Sequence, residues 1–386
     1  MNNSIVIAGS LAQRPGIGGH AWVFLQYLLG FQRLGWDVLF LDRLQAGMCA
    51  DAAGHPCAFD KSENRRYFLE VMRRFGLQDS FSLDYNRGEQ VVGLPRHTVL
   101  QQAKSAAVLI NVMGFLNDEQ ILGAAPRRAF LDIDPGFGQM WQALGLCQIF
   151  HGYDFYVTIG LNIGRPECDI PTCGLDWITT PQPIVLDLWP QPPVQSAGRF
   201  TSIVSWRGPF GPIEYNGQTY GLRVHAFRKF FELPRRSGRA FELALDIDPS
   251  ETADLARLAE NGWSLVNPRS VAGDPESYQS YIQNSWAEFM VAKEMYVKAK
   301  SGWVSDRSLP YLASGKPVLM QDTYLKHLYP TGEGLLAFST LDEAVAGVEQ
   351  ITRNYERHSR AARQIAEEYF DSDKVLSRLL TKLGVD

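Results

Sequence analysis

The 386-residue sequence predicts an α/β protein of two Rossmann-like domains facing one another across a cleft. Three observations carry that expectation. Short apolar runs alternate with helix-like segments through the first half, a proline-rich stretch interrupts them, and the alternation then restarts. A chain of this length exceeds one ordinary core, and 45% apolar with 20% charged residues is a globular composition.

The first run, residues 4–9, is apolar and ends in Gly9, as a buried parallel strand does. A loop with Gly16, Gly18 and Gly19 follows, then a helix over residues 20–34 closed by Gly35, then a strand over residues 37–42. Strand, glycine loop, helix and strand make a βαβ unit. Residues 106–111, 129–134 and 155–159 read as further buried strands. Between residues 179 and 193 stand Pro181, Pro183, Pro190, Pro192 and Pro193, which no helix or central strand accepts, so this stretch is the connector. Strands then follow at 200–205, 241–246, 263–266, 288–291 and 317–320. Helices are expected at 221–231, 251–261, 275–283, 308–314, 341–355 and 358–369. The first domain is placed at residues 1–190 and the second at 199–366.

Composition excludes some function classes. A formal charge of −5 provides no basic field for general nucleic-acid binding. No stretch approaches ~20 apolar residues, and no basic segment with an apolar signal core precedes the first strand. The cysteines Cys49, Cys57, Cys147, Cys168 and Cys173 are sparse and odd in number, which fits free thiols and a cytoplasmic setting.

Four segments carry candidate chemistry. In Pro15-Gly-Ile-Gly-Gly-His20, Gly18 and Gly19 free backbone N–H groups at a helix start to hold an anion, and His20 faces the cleft as an acid–base group. The alternative is a tight turn with an exposed histidine. Leu-Asp-Ile-Asp-Pro occurs at 131–135 and again at 245–249, each copy at a strand's carboxyl end. Asp134 is a candidate base there, Asp246 and Asp248 read as turn formers, and no metal site is expected. In the third segment, Arg207 follows a strand in an open Gly208–Gly211 loop and Arg223 begins a helix, a pair suited to a diphosphate. In the fourth, residues 301–322, Ser305, Asp306 and Arg307 lead into a short helix that Gly315 ends before an apolar strand.

The Leu-Ala-Ser-Gly-Lys-Pro-Val-Leu run at 312–319 resembles the donor-site helix and strand of GT-B glycosyltransferases, in particular the group 1-like C-terminal domain. The opening strand, Gly-Gly-His and helix resemble the acceptor-side start of the same fold. The resemblance implies transfer of a sugar from a nucleoside-diphosphate sugar to a hydroxyl of a small-molecule or glycan acceptor, without metal or other cofactor. It also implies donor contacts from Arg207, Arg223, Ser305, Asp306 and Arg307, and a terminal helix, placed at residues 367–386, that returns to the first domain. One departure stands out. The two glutamates that many retaining members carry eight residues apart align with Gly302 and Pro310, so Ser305, Asp306 and Arg307 are expected to serve in their place. A nucleotide-sugar epimerase and a non-catalytic nucleotide-sugar-binding protein are the alternatives. A dinucleotide oxidoreductase is disfavoured by the glycine spacing.

Overall fold

The apolar runs become the inner strands of two open sheets in the computed structural model, which describes residues 3–194, 197–208 and 210–385. The first half holds β1 (Ser4–Ala8), β2 (Asp37–Leu44), β3 (Phe81–Tyr85), β4 (Gln90–Gly93), β5 (Val108–Val112), β6 (Arg128–Asp132), β7 (Phe155–Thr158) and β8 (Trp177–Thr179). They lie in the order β4-β3-β2-β1-β5-β6-β7-β8, parallel except at the β3–β4 edge. The second half holds β9 (Phe200–Ser205), β10 (Ile213–Tyr215), β11 (Gln218–Tyr220), β12 (Phe241–Asp246), β13 (Trp263–Val266), β14 (Ala287–Met290), β15 (Val318–Gln321) and β16 (Leu335–Phe338). Six of these form a parallel sheet in the order β13-β12-β9-β14-β15-β16, while β10 and β11 make a separate hairpin.

Strand order reverses on either side of β1 and of β9, so each sheet has its switch point at its first strand, where open α/β sheets hold ligands. The repeated Leu-Asp-Ile-Asp-Pro does not mark equivalent places. One copy ends β6, two strands from β1, and the other ends β12, directly beside β9 on the opposite side.

The expected helix at 221–231 is broken into pieces: a helix Arg223–Phe227, a tight turn Arg228–Phe230 and a second helix Leu233–Ser237. Pro234 sits in the first turn of the last piece, where its missing N–H costs nothing, and so restarts the helix instead of continuing it.

The connector is tied down by hydrogen bonds. Val185 N–H donates to Gln26 Oε1 (2.7 Å), and Trp189 is buried. Ile184 pairs with the returning chain: its N–H donates to the Phe370 carbonyl (2.8 Å), and Ser372 N–H donates to the Ile184 carbonyl (2.9 Å). The terminal segment read as one helix is interrupted at Asp371, whose carboxylate accepts from Asp373 N–H and caps the helix Ser372–Lys382. That helix lies on Gly18–Arg33 of the first half. Gly30 is glycine for that contact, since a Cβ there would sit 2.5 Å from Leu376 Cδ1. Arg363 Nη1 donates to the carbonyls of Trp189 (3.0 Å) and Ala313 (2.7 Å), joining connector, short helix and returning chain. Among the described residues no helix is long and apolar enough to cross a membrane.

Leu376 is fully buried in this seam. Leu376→Ala should therefore cost about 2–5 kcal/mol, read as a lower urea midpoint at unchanged m-value. An unchanged midpoint would mean that the returning helix adds no stability.

Candidate active site

The carboxyl ends of β9, β12 and β13 and the start of the helix Ser308–Ala313 face the loop after β1. A cavity of about 660 Å³ lies between them. Glycine sets how closely the two sides meet. A Cβ on Gly18 would lie 2.2 Å from the Asp274 carbonyl oxygen, and one on Gly19 would lie 2.8 Å from the Tyr278 ring. Trp22 Nε1 donates to the Pro275 carbonyl across the same contact (2.7 Å). Close approach of the two halves thus accounts for glycine at both positions. The N–H groups of His20 and Ala21 already donate to the Ile17 carbonyl.

His20 lines the cavity on the first turn of its helix. Its Nε2 donates to the Ser10 carbonyl (3.0 Å), which leaves Nδ1 as the basic nitrogen. Burial pushes its pKa down to about 4, so the ring is neutral at pH 7. Asp134, just past β6, meets the second half directly. Its Oδ2 accepts from Lys293 Nζ (2.6 Å) and its Oδ1 from the Tyr296 hydroxyl. Asp132, at the end of β6, is buried and accepts from Gln139 and Thr158. Asp246 lines the cavity, and Asp248 accepts from Ser250 N–H, as a turn former does.

The expected donor residues separate. Arg207 is exposed, bonded through Nε to Glu251, and is not part of the cavity wall. Its loop is less open than the sequence implied, because Phe210 packs on Phe137 and Trp141 at ring separations of 5.1 and 5.0 Å. Pro209 lies outside the described residues. Arg223, by contrast, is buried, with Nε donating to the Val291 carbonyl (2.9 Å) and Nη1 to the Ser205 carbonyl (3.4 Å). Burial and then Arg307 push it down to about 10. Asp306 and Arg307 both line the cavity, 3.9 Å apart at their nearest charged atoms. Ser305 is buried beneath them, its Oγ accepting from Arg307 N–H (3.3 Å) and so shaping the turn.

The sequence reading missed Lys293, Tyr296 and Glu288. Lys293 stands just beyond β14, at the carboxyl end where ligands gather, and that placement was its one available signal. Its Nζ lies 4.9 Å from the Phe137 ring centroid and 5.3 Å from that of Tyr296. Burial lowers its pKa, Asp134 works against that, and Arg223 and Arg307 lower it further. Three cations, Arg223, Lys293 and Arg307, therefore sit close enough to repel one another, and Arg307 is the one of the three on the cavity wall. Their separate sequence positions gave no hint of it.

No family model and no curated protein matches the sequence. Solved structures match its fold end to end. An alpha-glucosyltransferase in complex with UDP-glucose and DNA containing an abasic site superposes with a TM-score of 0.59 at 11% identity, over 99% of this chain and 98% of that one. HepE of Anabaena, in complex with UDP and glucose, gives 0.56 at 11% identity over 98% and 99%. Sucrose-phosphate synthase from Thermosynechococcus elongatus gives 0.55 at 10% over 99% of each. The chain has the GT-B fold of these glycosyltransferases.

Glu288 in β14 is fully buried, and burial pushes its pKa up to about 7. The folded protein thus holds a proton that the unfolded chain releases near pH 4.3. The associated stability is complete below that pH and is lost as pH rises through 7. Glu288→Gln should gain on the wild type by an order of 2–3 kcal/mol between pH 4.5 and 7.5, measured by urea denaturation. A pH-independent difference would place the proton elsewhere.

Proposed function

We propose that the chain transfers a sugar from a nucleoside-diphosphate sugar to an acceptor hydroxyl. The observation that carries this reading is the grouping of Arg223 and Lys293 with Arg307, which lines the same cavity as His20. Sugar transfer forms a bond from the acceptor oxygen to the anomeric carbon and breaks the bond from that carbon to the diphosphate. Negative charge grows on the leaving diphosphate as the sugar becomes oxocarbenium-like, and fixed cations stabilise that change most. Side-chain cations supply the charge here, so the reading calls for no metal or other cofactor. The nucleoside fits the apolar wall made by Leu245, Ile247, Leu255, Leu265 and Val266, with Asn267 at its polar edge. Ser305 and Asp306 shape and line the sugar end.

Lys293 gives the site an order of events. Without donor it is paired with Asp134. A diphosphate competes for the same ammonium and releases the Asp134 carboxylate to take the acceptor's proton, with His20 Nδ1, on the cavity wall, as the alternative base. Several structural neighbours hold UDP or UDP-glucose, so a uridine donor is the first to test. Two neighbouring structures are complexed with DNA, but the formal charge of −5 supports a small-molecule or glycan acceptor here. Five free cysteines are consistent with a cytoplasmic setting.

Isothermal titration with UDP and UMP tests the donor site. Arg307→Ala should weaken UDP by about one to two orders of magnitude and UMP far less. Arg207→Ala should change either by less than about twofold, because its exposed guanidinium is engaged by Glu251. Failure to bind any nucleoside diphosphate, or equal losses for both nucleotides, would overturn the reading. Asp134→Asn should lower kcat ~10²-fold while UDP binds at least as tightly, since Lys293 loses its competitor. Donor that is epimerised without acceptor, or bound without turnover, would replace transfer by one of the two alternative activities.

A further inference from the structure

A second hollow, of about 520 Å³, opens on the first half and shares no lining residue with the cleft. Its origin lies in the sheet. The helix Arg96–Ser105 packs on β1 and on the helix Glu119–Ala124, and the hollow opens between these two helices and one face of β2, β3 and β4. Register partners pave that face: Leu41 beside Ser82, Arg43 beside Asp84, and Asp84 beside Val91. Val99, Leu116 and Ile121 form an apolar wall, and Arg87 and Arg96 stand at the rim. A hollow of this size accommodates a small organic molecule.

Its polar groups are unevenly matched. Asp118 is spent twice, accepting from both Nη atoms of Arg96 (2.5 and 3.1 Å) and from Gln120 and Ile121 N–H at its own helix start. Arg43 Nη1 donates to Asn117 Oδ1, but Arg43 Nε is buried with no hydrogen-bond partner among the described residues. An unmatched buried donor costs free energy that a ligand's acceptor atom recovers. The Arg87 side chain, exposed on the Asn86–Gly88 turn, has neither hydrogen bond nor ion pair among the described residues. Burial raises the pKa of Asp84 and so opposes its charge. Formal charge balances in the lining, Arg43, Arg87 and Arg96 against Asp42, Asp84 and Asp118, so what distinguishes the hollow is unmatched donors beside an apolar wall.

We propose that this hollow binds a small organic anion, its carboxylate or phosphate received by Arg43 and Arg87 and its apolar body lying on Val99, Leu116 and Ile121. The site stands apart from the donor cleft and does not depend on the transferase reading. Titration of the full chain with phenylacetate, phenyl phosphate and the neutral 2-phenylethanol tests it and separates the two headgroups. At least one anion should bind at millimolar concentration, and the alcohol should bind at least about tenfold more weakly. Arg43→Gln and Arg87→Gln should each weaken the anion by about tenfold or more, whereas Arg14→Gln, in the cleft wall, should not. Arg87 is exposed on a turn, so its variant reports even if Arg43→Gln folds poorly. The proposal is overturned if neither anion binds, if the alcohol binds equally well, or if Arg87→Gln leaves binding intact.

Discussion

The cleft exists at its present width because two side chains are absent. At Gly18 and Gly19 the first turn of a helix rests directly on the carbonyl of Asp274 and the ring of Tyr278, at distances no Cβ tolerates. Everything that faces the cavity is positioned from that seat. His20 is one residue further on, and Trp22 fixes the rotation of the helix by donating to Pro275. A glycine loop of this kind is usually read as an anion cradle. Here the same residues act first as a bearing between two sheets.

Across the bearing, the protein holds together groups that repel. Arg223, Lys293 and Arg307 are mostly withdrawn from water, and among the described residues Arg223 is bonded only to carbonyls. Among the described residues Asp134 is the one carboxylate paired with Lys293, and it comes from the opposite sheet. Such an arrangement is costly for a structural element, since buried like charges lose hydration and repel one another. It becomes favourable once a polyanion supplies the missing charge. Local rules broken in this way mark a functional site more reliably than any one residue type.

What could be read from the sequence followed burial. β1 is a nearly continuous apolar run because both faces of a central parallel strand are covered, and the buried β9 and β12 keep enough apolar residues to read as strands. β4 escaped because an edge strand is largely exposed, and β3 beside it because Ser82 and Asp84 interrupt its apolar residues. The β10–β11 hairpin had a signal that went unused. Asn216-Gly217 takes positive φ at both positions, 50° and 73°, the turn that this dipeptide favours. In the site, residues on one loop (Ser305, Asp306, Arg307) were legible together. Lys293 and Asp134, 159 positions apart, become partners only through the facing of two sheets. Arg207 and Arg223 looked equivalent in sequence, yet one side of the β9 turn leads outward to Glu251 and the other inward beneath Ser205.

The pairing of Ile184 with the returning chain has a mechanical consequence. The polypeptide passes between the halves twice, and the two crossings are hydrogen-bonded side by side, as two pins set in one door hinge. A single flexible crossing permits twisting and sliding, whereas paired crossings confine motion to rotation about the line that joins them. The edge of the cleft farthest from Ile184 then travels most, and the residues beside the pins hardly move. Any opening of the cleft on such a device would be a swing at one edge, with the residues beside the pins kept in register throughout.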